Sequence, residues 1–82
     1  MNKMEIQITK TAIKDIKKLD KPTRDRLLEG INKLPLGDVK RLQGYINYYR
    51  LRIGNFRVIY SFENGTIIIM AVLPRGEVYK HI

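Results

Sequence analysis

The sequence predicts an α+β domain, one antiparallel sheet with two helices packed on one of its faces. Three observations carry this reading. The chain opens on alternating apolar and polar residues, continues through two stretches with apolar residues at helical spacing, and finishes in three β-type runs separated by short turns. No repeat, low-complexity linker or charge block divides the 82 residues, so residues 1–82 are expected to form a single domain with a small core.

The first strand is placed at Met4 to Thr9, where Met4, Ile6 and Ile8 alternate with Glu5 and Gln7. A helix follows, with Ala12, Ile13, Ile16 and Leu19 as its apolar stripe and Lys10, Lys14, Lys17, Lys18 and Lys21 on the remaining surface. Asp20 to Pro22 ends it and starts a second helix, with Pro22 near the first turn and Leu27, Leu28, Ile31 and Leu34 at buried positions. Gly30 counts against that helix, because glycine costs about 1 kcal/mol relative to alanine in a helix interior. Pro35-Leu36-Gly37-Asp38 closes the helical pair, and a loop carrying Lys40, Arg41, Leu42 and Gly44 leads into the sheet.

The remaining chain reads as a three-stranded antiparallel meander. Residues 49–61, YRLRIGNFRVIYS, form a hairpin around Gly54-Asn55, residues that tolerate the positive φ of a tight turn. Glu63-Asn64-Gly65 is a second turn, and Thr66–Leu73 is apolar almost throughout, as suits a central strand covered on both faces. PRGEVYKHI completes the sequence.

The hairpin fixes its own register. Ile53 opposes Phe56, Leu51 opposes Val58 and Tyr49 opposes Tyr60, which gives one apolar face for the core. Side chains alternate with period two, so the other face carries Tyr48, Arg50, Arg52, Arg57, Ile59 and Ser61. Arg52 and Arg57 then stand directly opposite one another, an arrangement that destabilises a sheet by a few tenths of a kcal/mol or more without an intervening anion. The whole composition agrees with an anionic ligand: 16 Lys+Arg against 8 Asp+Glu give a formal charge of +8.

Other partners fit less well. No run approaches the ~18 apolar residues of a membrane span, and MNKMEIQITK has no signal-peptide core. The chain has no cysteine and only His81 among histidines, which leaves neither a disulfide framework nor a zinc site. A cytoplasmic protein without metal or other cofactor is expected.

Leu42-Gln43-Gly44, the strand pair YRLRIGNFRVIYS and the closing PRGEVY, in this order after two helices, resemble the RelE branch of the RelE/ParE toxin superfamily across nearly the entire chain. The resemblance implies a RelE-like fold and the toxin half of a type II toxin–antitoxin pair. Such a toxin enters the ribosomal A site, cleaves mRNA, and is silenced in a hetero-oligomer with its cognate antitoxin. Matched by motif, Arg50 and Arg52 stand where well-studied members have a Lys-x-Lys pair, Arg57 matches the arginine of the second hairpin strand, and Arg75 and Tyr79 match the C-terminal arginine and tyrosine.

The chemistry of metal-free RNA cleavage suits these residues. Attack of a 2′-OH on the adjacent phosphate needs a proton acceptor, a donor to the leaving 5′ oxygen and stabilisation of the phosphorane. Arg50, Arg52, Arg57 and Arg75 supply guanidinium forks for the last of these, and Tyr79 would stack on a base or orient the nucleophile. Arginine is a very poor base. Arg52 therefore reads as a charge stabiliser, which leaves the acceptor to Glu77, to His81 or to no protein group. Lys10, Lys14, Lys17, Lys18 and Tyr48 are candidate RNA contacts. The alternatives are a ParE-like inhibitor of DNA gyrase and a relative that binds RNA or rRNA without cutting it.

Overall fold

A computed structural model describes residues 5–77. The elements run β1 (Glu5–Ile8), α1 (Lys10–Lys17), α2 (Lys21–Asn32), β2 (Val39–Arg41), β3 (Tyr48–Ile53), β4 (Phe56–Glu63) and β5 (Thr66–Pro74). All five strands join one sheet in the order β1-β5-β4-β3-β2. The meander β3-β4-β5 is antiparallel with the anticipated hairpin pairs, Ile53 with Phe56, Leu51 with Val58 and Tyr49 with Tyr60. Gly54 supplies the first turn with φ 56°, and Asn64 and Gly65 supply the second with φ 52° and 77°.

The sheet departs from the sequence reading at both edges. β1 pairs in parallel with β5, from Glu5 opposite Thr66 to Ile8 opposite Ile69, so the sheet is mixed. The two intervening helices make that geometry available, since a parallel partner needs a long crossover. At the other edge, the stretch expected to be a loop contains β2, which pairs Val39, Lys40 and Arg41 with Leu51, Arg50 and Tyr49. Three residues are too few to leave a period-two signature.

Each helix starts on a side-chain cap. Thr9 Oγ1 accepts from the Ala12 N–H at 3.2 Å, and Asp20 Oδ2 accepts from the Thr23 N–H at 3.4 Å. Ala12 and Ile16 of α1 and Leu27 and Ile31 of α2 are buried with Leu34, Leu51, Val58, Tyr60, Ile67, Ile69 and Val72. Two expected core positions are not buried: Ile13 is 39% exposed and Leu28 37%. Each lies one residue, about 100° of helix, beyond the buried Ala12 or Leu27, and short helices on a sheet bury only a narrow line.

Gly30 has a packing role. A Cβ at this position would run into Ile53 Cδ1 and lie 3.2 Å from Ile53 Cγ1, so glycine lets α2 settle close to β3. Val39, Ile53 and Phe56 fill in around it against the core. On the opposite face of the sheet Leu42 and Ile59 are buried, with Tyr48, Met70, Ala71 and Leu73 packed around them. β5 is thus an interior strand with apolar cover on both faces, as its sequence implied.

The β4–β5 ladder shifts register at Met70, because Ile59 pairs with Ala71 while Tyr60 pairs with Ile69. β1 ends at the same level. Thr9 Oγ1 donates to the Met70 carbonyl at 3.1 Å, and the Val72 N–H donates to Asp15 Oδ2 at 3.0 Å. In this way α1 takes over from β1 beside the outer edge of β5 and satisfies backbone groups that would otherwise be left open. Among the described residues, no helix is long and apolar enough to cross a membrane.

Candidate nucleic-acid interface

The outer face of the sheet, away from the helices, carries the cationic residues in rows set by strand pairing. Lys40 opposes Arg50, which opposes Ile59; in the next row Arg52 opposes Arg57, which opposes Leu73. Adjacent strands lie about 4.8 Å apart, so these side chains rise from one patch.

Each arginine is anchored differently. Arg52 is exposed; its N–H donates to the Asp38 carbonyl at 2.9 Å, and its Nη1 lies 3.9 Å from Asp38 Oδ2. Arg57 folds back over the turn, where Nη1 donates to the carbonyls of Gly54 at 3.2 Å and Phe56 at 3.0 Å. The Arg75 N–H donates to the Asn55 carbonyl at 2.7 Å, which ties the residue after β5 to the same turn. Arg50 is half-buried, and its Nη1 is buried with no hydrogen-bond acceptor among the described residues. Leaving such a donor unsatisfied costs about 1–3 kcal/mol.

The Arg57 guanidinium senses the other three. Burial, followed by the charges of Arg52, Arg50 and Arg75, holds Arg57 below the ordinary arginine pKa, with Asp38 opposing the shift. A cluster of this kind binds phosphate oxygens through paired N–H donors and stabilises charge that accumulates on them.

Tyr48 shares this face, about 7 Å along β3 from Arg50, and its ring stacks with Tyr45 at a centroid distance of 6.3 Å and an interplanar angle of 13°. Lys10, Lys14 and Lys17 are exposed on α1, and Lys18 is exposed at its C-cap. Lys18 lines a cleft with Asp15, Leu19, Phe56, Val72, Leu73 and Pro74. Tyr79 and His81 lie outside the described residues. The Glu77 N–H donates to the Pro74 carbonyl at 3.2 Å, which closes the turn after β5.

Sequence reasoning missed several groups at this site. Asp38 and Lys40 arrive with β2, and Tyr45 arrives with the loop that follows. Thr11 and Asp15 of α1 border a groove over Ile59, Met70, Ala71 and Leu73. Only long-range pairing brings them here, so no local signal marked them. No cluster of three or more metal-ligating side chains occurs among the described residues.

Residues 6–79 match the family described as "ParE toxin of type II toxin-antitoxin system, parDE". The chain is 34% identical over 87 residues to Toxin RelE3 of Methanocaldococcus jannaschii, covering 95% of this chain and 98% of the relative. Among solved structures it resembles a chain of the RelB-RelE antitoxin-toxin complex from Methanococcus jannaschii, with TM-score 0.76 and 33% identity over 93% of this chain and 98% of that one. A chain of the archaeal RelE-RelB complex from Pyrococcus horikoshii OT3 is similar at TM-score 0.77 and 31% identity, covering 95% of this chain and all of that one, 100%. With a family match over most of its length and relatives at about a third identity along nearly the whole chain, the chain belongs to the RelE/ParE superfamily of type II toxins.

Proposed function

We propose that this chain is a ribosome-dependent, metal-independent mRNA endonuclease that stops translation and is held inactive by a cognate antitoxin. The observation that carries the reading is the placing of Arg50, Arg52 and Arg57 on one sheet face with Arg75 tied to the same turn, where burial and then the charges of the other three hold the Arg57 pKa down. Four arginines at one end of the sheet suit a scissile phosphate and the phosphates beside it along the strand. In the cleavage step the 2′-OH gives its proton to water as its oxygen bonds to phosphorus, the bond from phosphorus to the 5′ oxygen breaks, and that oxygen takes a proton from water, so the products are a 2′,3′-cyclic phosphate and a 5′-hydroxyl. The guanidinium donors take up the charge that builds on the non-bridging oxygens. Arg52 acts as a charge stabiliser, since a guanidinium does not accept the 2′ proton.

The antitoxin part of the proposal draws support from the RelB-RelE complexes to which the fold is similar. The surplus of +8 also favours an acidic or amphipathic partner that covers the patch. The test is primer extension on a translated message after induction, run beside plasmid supercoiling from the same cells. Discrete cuts within codons with unchanged supercoiling support the nuclease. Altered supercoiling without cuts favours the gyrase inhibitor.

A further inference from the structure

We propose that the groove between α1 and the outer face of the sheet is a nucleobase pocket in which Asp15 and Thr11 select a base with an exocyclic amino group over uracil. The inference rests on the RNA-cleaving reading above and names what that site recognises.

The groove has a volume of about 400 Å³ and is lined by Tyr48, Ile59, Met70, Ala71, Leu73, Thr11 and Asp15. An apolar floor with a few polar groups on one wall is the usual build of a small-ligand site. Its position relative to the arginines is set by the ladder. Leu73 is the direct partner of Arg57, and Ile59 is the direct partner of Arg50. A nucleotide whose phosphate sits on those guanidinium groups therefore has an apolar slot one strand away for its base. Anionic backbone beside flat apolar base is the chemistry of single-stranded RNA, and the cationic rim matches it.

The polar wall gives the slot a preference. Thr11 and Asp15 stand four residues apart on one face of α1. Asp15 Oδ2 caps the Val72 N–H at 3.0 Å, a duty that an asparagine would discharge equally well. A carboxylate brings a second oxygen and only acceptors. Beside an apolar floor such an acceptor favours a ligand that donates. The N4 amino group of cytosine does so, and the O4 of uracil, an acceptor in the same position, is repelled.

The test combines cutting with binding. Translated messages that differ only in cytosine or uracil at each position of the A-site codon are cut by the wild type, Asp15→Asn and Thr11→Val proteins and mapped by primer extension. The wild type is expected to prefer cytosine at one position by about tenfold, and Asp15→Asn, which adds a donor able to meet O4, to erase or reverse that ratio. In parallel, CMP and UMP are titrated into the wild-type protein with the Met70 and Leu73 methyl groups observed by NMR, a measurement independent of how well either variant folds. Larger shifts with CMP at these methyls support the pocket. An unchanged cytosine-to-uracil ratio in both variants, or nucleotide shifts that map elsewhere, overturns it. If the wild type cuts no message, the nuclease reading falls, and the CMP and UMP titration still decides the groove.

Discussion

Arg52 and Arg57 face each other directly across the β3–β4 ladder, two cations at a cross-strand position where opposed like charges weaken a sheet. Backbone carbonyls of Gly54 and Phe56 hold one of them, and the Asp38 carboxylate stands 3.9 Å from the other.

Loss of single guanidinium groups should separate stabilisers from spectators. Arg57→Ala and Arg75→Ala are each expected to slow mRNA cleavage by on the order of a hundredfold, the usual loss for one transition-state donor. Arg52→Lys should retain activity, because a positive charge remains and the pKa of a lysine crowded by cations falls towards neutral, where part of the amine is free to accept a proton. Single-turnover rates on ribosome-bound message measure both. Full activity in Arg57→Ala and Arg75→Ala, together with loss in Arg52→Lys, would reverse these roles.

Salt dependence offers a count of the contacts. If four arginines meet the backbone of a single strand, log K should fall against log salt with a slope of about −2.8, from roughly −0.7 per neutralised phosphate. Replacing any one of Arg50, Arg52, Arg57 or Arg75 by alanine is expected to reduce that slope by about 0.7. Fluorescence anisotropy of a labelled oligoribonucleotide gives the values. A slope that stays constant across the variants means that RNA lies elsewhere.

The Tyr60 hydroxyl makes stability sensitive to alkali. Burial, with Tyr49 beside it, pushes this group up to about 12 from 10.0. Its folded value is raised, so the contribution is fully present below pH ~10 and is lost as pH rises towards 12, where the unfolded chain sheds the proton first. The loss amounts to about 2–3 kcal/mol at the upper end. Denaturant melts between pH 9 and 12 should show the decline in the wild type, and Tyr60→Phe should lack this component. Parallel declines in the two proteins would remove Tyr60 as the cause.

Gly30 and Ile53 should behave as a coupled pair. In the wild type, Gly30→Ala displaces the Ile53 δ-methyl, and that overpacking offsets the ~1 kcal/mol of helix propensity that alanine adds. With Ile53→Val, which lacks that methyl, the same substitution is expected to stabilise by up to about 1 kcal/mol. A double-mutant cycle of denaturant melts reads the coupling. Additive effects would show that α2 and β3 are not in close contact here.

Much of the fold follows from local rules that the sequence states openly. The pairing of Arg52 with Arg57 and of Leu51 with Val58 follows from a two-residue turn at Gly54-Asn55 and from side-chain alternation, both local properties. The same alternation assigns Arg50, Arg52 and Arg57 to one face. The helices are legible because Ala12 and Ile16, or Leu27 and Ile31, recur at helical spacing, although adjacent Ile13 and Leu28 look equally apolar and only packing leaves them outside.

Tertiary structure decided what no window of the sequence contains. The parallel seat of β1 beside β5, the three-residue β2 that brings Asp38 and Lys40 to the arginines, and the close approach at Gly30 all depend on partners far along the chain. The shift at Met70, met by Thr9 and Asp15, likewise arises where one strand ends and a helix replaces it. Periodicity reports which side of an element is apolar. Which element lies against that side is fixed by the joint requirement to bury apolar area and satisfy every buried backbone group, and that condition is met only by the assembled chain.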